Sequence, residues 1–237
     1  MQRPGHRPGR PLFGEWAITA VDRVLASSPT EMQPPVPVLL HTALVPPYET
    51  TLGPAKESDP VMIEVVRPAP RLVIVGATDV AVPLAGFAAA AGFRVVVVEP
   101  RPAYAQGDRV PGATLVQAWP SSWLGSHALG PDDALVALTH EPRLDDAALA
   151  QALLSGCGYV AAIGSRTTQQ ERLARLAHIP GAERIAGPAG LDLGGNTSAQ
   201  TALSMLAELV AVRNHRAGGR LVLSAGPLHT GVGPSPS

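Results

Sequence analysis

From residue 71 onward, the apolar residues gather into short unbroken runs separated by longer stretches of mixed character. The runs are RLVIVG (71–76), RVVVVE (94–99), ATLVQA (113–118), ALVALT (134–139) and YVAAIG (159–164). Each is largely aliphatic and lacks the alternation of a half-exposed strand, so each reads as a strand covered on both faces. Between and after them, residues 80–91, 145–154, 167–177 and 197–214 read as helices. In the last of these, Ala199, Ala202, Leu203, Leu206, Leu209 and Val210 share one face. That face serves internal packing or a homodimer. Buried strands alternating with helices predict an α/β fold, a Rossmann-like doubly wound parallel sheet, over residues 69–216.

The earlier part of the chain has a different texture. Residues 1–12 are rich in Arg, Pro and Gly and predict a disordered arm. Residues 13–68 predict a small α+β module. It has a helix over 14–27, with Trp16, Ile18, Val21, Val24 and Leu25 at helical spacing, and strand-like pieces VPVLLH (36–41) and VMIEVV (61–66). The prolines of RPAP (67–70) resist continuing a strand and place a boundary there. Residues 217–237 form a C-terminal extension ending in a floppy GVGPSPS tail.

Composition narrows the functional classes. Aromatics are 4% of 237 residues against 46% hydrophobic overall, so the core is built from small aliphatic side chains. The formal net charge of −1, with no basic stripe, gives nucleic-acid binding no electrostatic support. Cys157 is the only cysteine, which excludes an internal disulfide and a cysteine-based metal site. No metal-ligand cluster is evident. No uncharged apolar run is long enough to cross a bilayer, and the N-terminus lacks the apolar core of a secretory signal. The expectation is a soluble, cytoplasmic protein.

Ligands of doubly wound sheets sit beyond the carboxyl ends of the strands. The first such end reads G-A-T-D-V-A, from Gly76 through Ala77 and Thr78 to Ala81. Gly76 and Ala81 fill the outer positions of a G-x-G-x-x-G/A phosphate loop in a strand–turn–helix context. Glu99 ends the next strand, where a ribose-binding carboxylate sits in dinucleotide sites. Thr78 stands in place of the second glycine. It either closes the loop to a dinucleotide or donates its hydroxyl to a phosphate. Three further strand ends are polar: Glu99-Pro100-Arg101, Thr139-His140-Glu141 and Gly164-Ser165-Arg166. Arg101 and Arg166 are candidates for a bidentate phosphate clamp, and His140 is the candidate for acid–base chemistry. Asp145 reads as a helix cap. Asn196 or Thr197 reads as the cap of the last helix, Glu208 as solvated or subunit-facing, and Cys157 as a small packed residue.

In order, LVIVGATDVA (72–81), VVVVEPRPAYA (95–105), THEPRLDDAAL (139–149), YVAAIGSRTTQQERLARL (159–176) and PAGLDLGGNTSAQTALSMLAEL (188–209) resemble the XdhC/CoxI family. These are accessory proteins of molybdenum hydroxylases such as xanthine dehydrogenase and CO dehydrogenase. The resemblance spans roughly 140 of the 237 residues. It implies a maturation factor that binds molybdenum cofactor, assists its insertion and meets an apo-hydroxylase partner. By position it carries the family's ligand motifs onto Gly76, Thr78, Glu99, Arg101, Thr139, His140, Gly164, Ser165 and Arg166. The chain departs from the family pattern in two places. GATDVA replaces the usual GAGHVA, and residues 1–70 contain no cysteine to supply the family's N-terminal Gly-Gly-Cys-x-Glu motif. An NAD(P)-binding oxidoreductase and a degenerate protein-binding scaffold are the alternative readings.

Overall fold

The computed structural model describes residues 39–44, 61–66, 68–107 and 109–223. The chain divides into two compact units, Met1–Pro68 and Ala69–Ser237. In the first, β1 (Leu39–Leu44) and β2 (Val61–Val66) form an antiparallel pair, Leu39 opposite Val66 and Leu44 opposite Val61. The expected strand at 36–41 thus lies three residues later. The helix expected over 14–27, the arm over 1–12 and the GVGPSPS tail lie outside the described residues.

The second unit is built on five parallel strands: β3 (Arg71–Val75), β4 (Arg94–Val98), β5 (Thr114–Val116), β6 (Ala134–Ala137) and β7 (Tyr159–Ala162). Their spatial order is β5-β4-β3-β6-β7. The chain steps outward from β3 in one direction and then returns to its other side, which opens a switch point between β3 and β6. Helices α1 (Ala81–Ala90), α2 (Pro120–Ser126), α3 (Pro142–Leu154), α4 (Arg166–Arg175) and α5 (Ser198–Arg213) complete the unit.

Alternate residues of each strand enter different cores. Leu72, Ile74, Val95, Val97 and Val136 pack with Leu84, Ala88, Met205 and Leu209 of α1 and α5. Val73, Val75, Val96, Val98 and Leu135 pack with Leu124, Leu144, Leu149 and Ala152 of α2 and α3. The unbroken apolar runs therefore have a two-residue period after all, with both phases buried. The sheet is the middle of three layers.

Two readings of the pattern change. Residues 120–126 form a helix that the apolar periodicity did not signal, because seven residues with Pro120 at the start carry too little of a stripe. The helix expected to begin at 145 begins at Pro142, a residue suited to a first turn because its missing N–H has no helical partner there. Asp145 therefore lies inside α3 and is not its cap.

Glu208 is only partly exposed and is engaged internally. Its Oε2 accepts the Tyr159 hydroxyl at 2.6 Å and the Gly190 N–H at 2.8 Å, tying α5 to β7. Which strand α5 covers decides this, and helical periodicity does not report it. Thr197 does cap α5: its hydroxyl accepts the Gln200 N–H and the Gln200 side chain accepts back, a capping box.

Cys157 is fully buried, its Sγ donating to the carbonyls of Asp133 and Tyr159 at 3.3 Å each. Burial pushes its thiol up to about 12, so thiolate, the reactive form, is scarce at neutral pH. A disulfide-exchange reagent at pH 8 should leave the native thiol unmodified and label it fully in denaturant. Rapid labelling of the native protein would contradict this packing.

Candidate functional site

Gly76 turns the chain off β3 with φ 99°, and a Cβ there would come within 2.5 Å of Thr139 Cγ2. Both the backbone angle and the closeness of the β3 and β6 ends demand glycine. The first glycine of the loop is thus explained by packing at the switch point as well as by conformation. Ala77 follows, with its peptide held on both sides. Its N–H donates to Glu99 Oε2 at 3.0 Å, and its carbonyl accepts Arg109 Nε at 2.9 Å.

Beyond these residues lies a crevice of about 290 Å³, walled by Ala77, Thr78 and Asp79 after β3, by Arg101, Tyr104 and Arg109 after β4, and by Leu138, Thr139 and His140 after β6. It sits at the small end of ligand-site volumes. A volume of that size is about what a phosphate with part of a ring system would fill.

Charge in the crevice is arranged unevenly. Glu99 is completely buried. Its Oε1 accepts the Arg101 N–H at 2.9 Å and Arg101 Nε at 2.7 Å, and its Oε2 accepts Arg101 Nη2 at 2.8 Å besides the Ala77 amide. Burial pushes this carboxyl up, but the hydrogen bonds from Arg101 and Ala77 outweigh it and hold it below its ordinary value. The carboxylate expected to meet a ribose instead turns inward and fastens the loop after β4 to the loop after β3. Arg101 Nη1 donates to Glu141 Oε1 at 2.8 Å.

The second guanidinium facing the crevice is Arg109, not Arg166. Arg109 lies over the Tyr104 ring at 5.1 Å from its centroid, and Arg101 lies over the same ring at 4.6 Å. Arg109 Nη2 approaches Asp79, itself 91% exposed, only to 3.9 Å. Among the described residues no other acid pairs with it. Arg109 is in a loop with no periodicity, eight residues past Arg101, and nothing in its local sequence distinguishes it from the other arginines.

Three polar groups line or underlie the floor. Thr78 Oγ1 is buried and has no hydrogen-bond partner among the described residues. Thr139 donates its hydroxyl to Asp145 Oδ1 at 2.6 Å and accepts the Glu141 N–H at 3.1 Å. Asp145 is 2% exposed, its Oδ2 has no partner among the described residues, and burial raises its carboxyl against the opposing pull of Thr139 and the Arg172 charge. His140 is exposed at the rim with φ 60°, an uncommon angle for a residue with a Cβ.

Gly164, Ser165 and Arg166 are not in this crevice. Gly164 borders a second concavity of about 280 Å³, formed with the 188–195 loop and the start of α5. Ser165 caps α4 by accepting the Thr168 N–H at 3.0 Å, and Arg166 is exposed and lines neither concavity. At the α5 end of the second concavity, Gln200 Oε1 takes the Asn196 and Thr197 amides and Thr197 Oγ1 takes that of Gln200. Among the described residues, no group of three or more His, Cys, Asp or Glu side chains is placed to hold a metal ion. No helix among them is long and apolar enough to cross a membrane.

Residues 72–209 match the model of the XdhC Rossmann domain family. A Bacillus subtilis (strain 168) protein, named as a probable subunit of xanthine dehydrogenase, is 33% identical over 152 residues, which are 64% of this chain and 45% of that protein. The chain thus spans less than half the length of that relative. A crystal structure of a xanthine dehydrogenase from Bacillus halodurans superposes with a TM-score of 0.59 at 24% identity, covering 71% of this chain and 49% of that one. This likeness concerns the fold. With the family match over more than half of its length, the chain belongs to the XdhC family and carries that family's Rossmann domain.

Proposed function

We propose that the protein is an accessory, maturation-type factor for a molybdenum hydroxylase, and that it holds molybdenum cofactor, or a nucleotide, by its phosphate in the switch-point crevice. Membership of the XdhC family and the similarity to a probable xanthine dehydrogenase component support the accessory role. The observation that carries the site is the convergence of Arg101, Arg109 and Thr78 on the lining of one small crevice, with the Thr78 hydroxyl buried at that lining and without a hydrogen-bond partner among the described residues. A phosphomonoester, such as the one on the pterin's side chain, fits that lining: guanidinium nitrogens for its oxygens, beside a buried hydroxyl that has no acceptor among the described residues. The bound cofactor would bring molybdenum chemistry to its target enzyme. The residues of this chain bind, orient and shield it, and the partner is the apo-hydroxylase.

The dinucleotide reading loses support at Glu99, since both carboxylate oxygens are engaged and the Arg101 side chain covers them. A ribose diol has no free acceptor there.

The test is an anaerobic calorimetric titration of the purified protein with molybdenum cofactor, and separately with NADH and NADPH. Cofactor binding without nicotinamide binding is the expected result. Arg109→Ala should weaken cofactor binding by about 1.5–3 kcal/mol, roughly ten- to a hundred-fold, for each charged hydrogen bond lost. Arg166→Ala should leave it unchanged. Binding of NADH or NADPH in place of the cofactor, or indifference to Arg109→Ala, would overturn the reading.

A further inference from the structure

Arg101 is held from two sides that differ in kind. Toward the interior, Nε and Nη2 meet Glu99, whose side chain is wholly buried. Toward the mouth of the crevice, Nη1 meets Glu141, whose side chain is 51% exposed. The inner pair is the costly one to open, since separating it would strand a buried carboxylate. The outer pair is half in water, where such pairs contribute little and open readily. It also joins residues on opposite sides of the switch point: Arg101 follows β4, and Glu141 follows β6.

The Glu141 backbone is fixed. Its N–H is bound to Thr139 Oγ1, and its carbonyl accepts the amides of Leu144 and Asp145 in the first turn of α3. Its side chain makes no capping hydrogen bond to that helix. Only the side chain needs to move for Nη1 to become free, and α3 loses nothing when it does.

We propose that Glu141 is a specificity-determining residue, an internal stand-in for the ligand's phosphate. Its carboxylate occupies the one replaceable corner of Arg101, and a phosphomonoester takes that corner over on binding. This inference rests on the anion-binding reading of the crevice. A ligand without an anionic group cannot replace Glu141 and finds the corner closed. A phosphomonoester gains Nη1 at the modest cost of the half-exposed pair.

The experiment uses the full chain, with inorganic phosphate and adenosine 5′-monophosphate as probes and adenosine as the uncharged comparison, read by calorimetry. Glu141→Gln should bind both phosphate probes about two- to five-fold more tightly than the parent protein, the range set by the worth of an exposed ion pair. Adenosine should respond to neither protein. Glu171→Gln, on the exposed surface of α4, makes the same change in net charge and should not alter phosphate affinity. Equal phosphate binding by the parent and Glu141→Gln would overturn the stand-in role while leaving the anion crevice intact. Equal tightening by Glu171→Gln would overturn it too, by reducing the effect to overall charge. Absence of phosphate binding in every variant would overturn both the stand-in role and the crevice reading beneath it.

Discussion

Gly158→Ala should destabilise the Rossmann unit by about 3 kcal/mol or more, at the upper end of what inserted methyl groups cost. Gly158 leads into β7 across the turn that precedes β6. A Cβ there would fall on the Pro131 carbonyl, with the Pro131 carbonyl carbon at 2.9 Å and the Asp133 oxygen at 3.5 Å. These are backbone atoms, so no side chain can rotate away. The turn cannot yield either. Asp133 accepts the Gly130 N–H and the Arg71 N–H and guanidinium, and the Gly158 N–H donates to the Gly130 and Asp133 carbonyls. For a domain of this size, the loss corresponds to a fall in the thermal midpoint of roughly 6–12 °C. Gly86→Ala is the internal contrast. It lies within α1 with nothing within 4 Å of the added carbon, and should stabilise by about 0.5–1 kcal/mol through helix propensity. Thermal or urea unfolding of the two variants checks both signs, and similar behaviour of the pair would refute the packing at Gly158.

Glu99→Ala is the second large effect, and it links stability to the site. Removing the carboxylate leaves the Ala77 amide without its acceptor and Arg101 with Glu141 as its one acidic partner among the described residues. Breaking one side of a buried pair costs about 3–5 kcal/mol. The Arg101 side chain keeps 34% exposure and can be partly rehydrated, so the lower end, about 3 kcal/mol, is expected. The loops after β3 and β4 should also loosen together, which would show as loss of amide protection at Ala77.

The pH dependence has a definite sign. The folded-state carboxyl of Glu99 lies below its ordinary value of 4.5. Its contribution is therefore fully present above about pH 4.5 and disappears as pH falls through the lower folded value. Asp145 acts in the opposite sense, because burial raises its carboxyl, and its contribution weakens as pH rises. Asp145 is present in both proteins, so it cancels in the difference between parent and variant. That difference should be largest near neutrality and shrink on acidification below about pH 4.5. A gap that stays constant down to about pH 3 would mean that Glu99 is not held as a charged group.

How much of this was visible before the fold was known depends on the range of the interaction. Runs such as RVVVVE and YVAAIG report burial on both faces, because every second side chain enters a different core, and a parallel sheet is the architecture that buries both. The glycine at position 76, its place after a strand and the polar strand ends are local facts, and they pointed to the edge of the sheet where the crevice opens. The family blocks between 72 and 209 are likewise local patterns. Capping of α5 at Asn196 or Thr197 was readable because a cap closes within one turn, and the structure decides for Thr197.

What required the tertiary structure was the partner of each polar side chain. Glu99 looked like a ribose ligand because nothing local shows that Arg101 folds back on it while the Ala77 amide arrives from another strand. Arg166 looked like half of a clamp, but the position that shares the crevice with Arg101 is Arg109, placed there by an aperiodic loop and a hydrogen bond to the Ala77 carbonyl. Asp145 read as a helix cap and Glu208 as a solvated or subunit-facing acid until their helices were laid against Thr139, Tyr159 and Gly190. The sequence by itself determined the layered fold and the edge that carries the crevice, because hydrophobic burial follows the period of the backbone. Only the tertiary structure decided which charges meet there, because electrostatic pairing depends on distances between segments that are far apart in the chain.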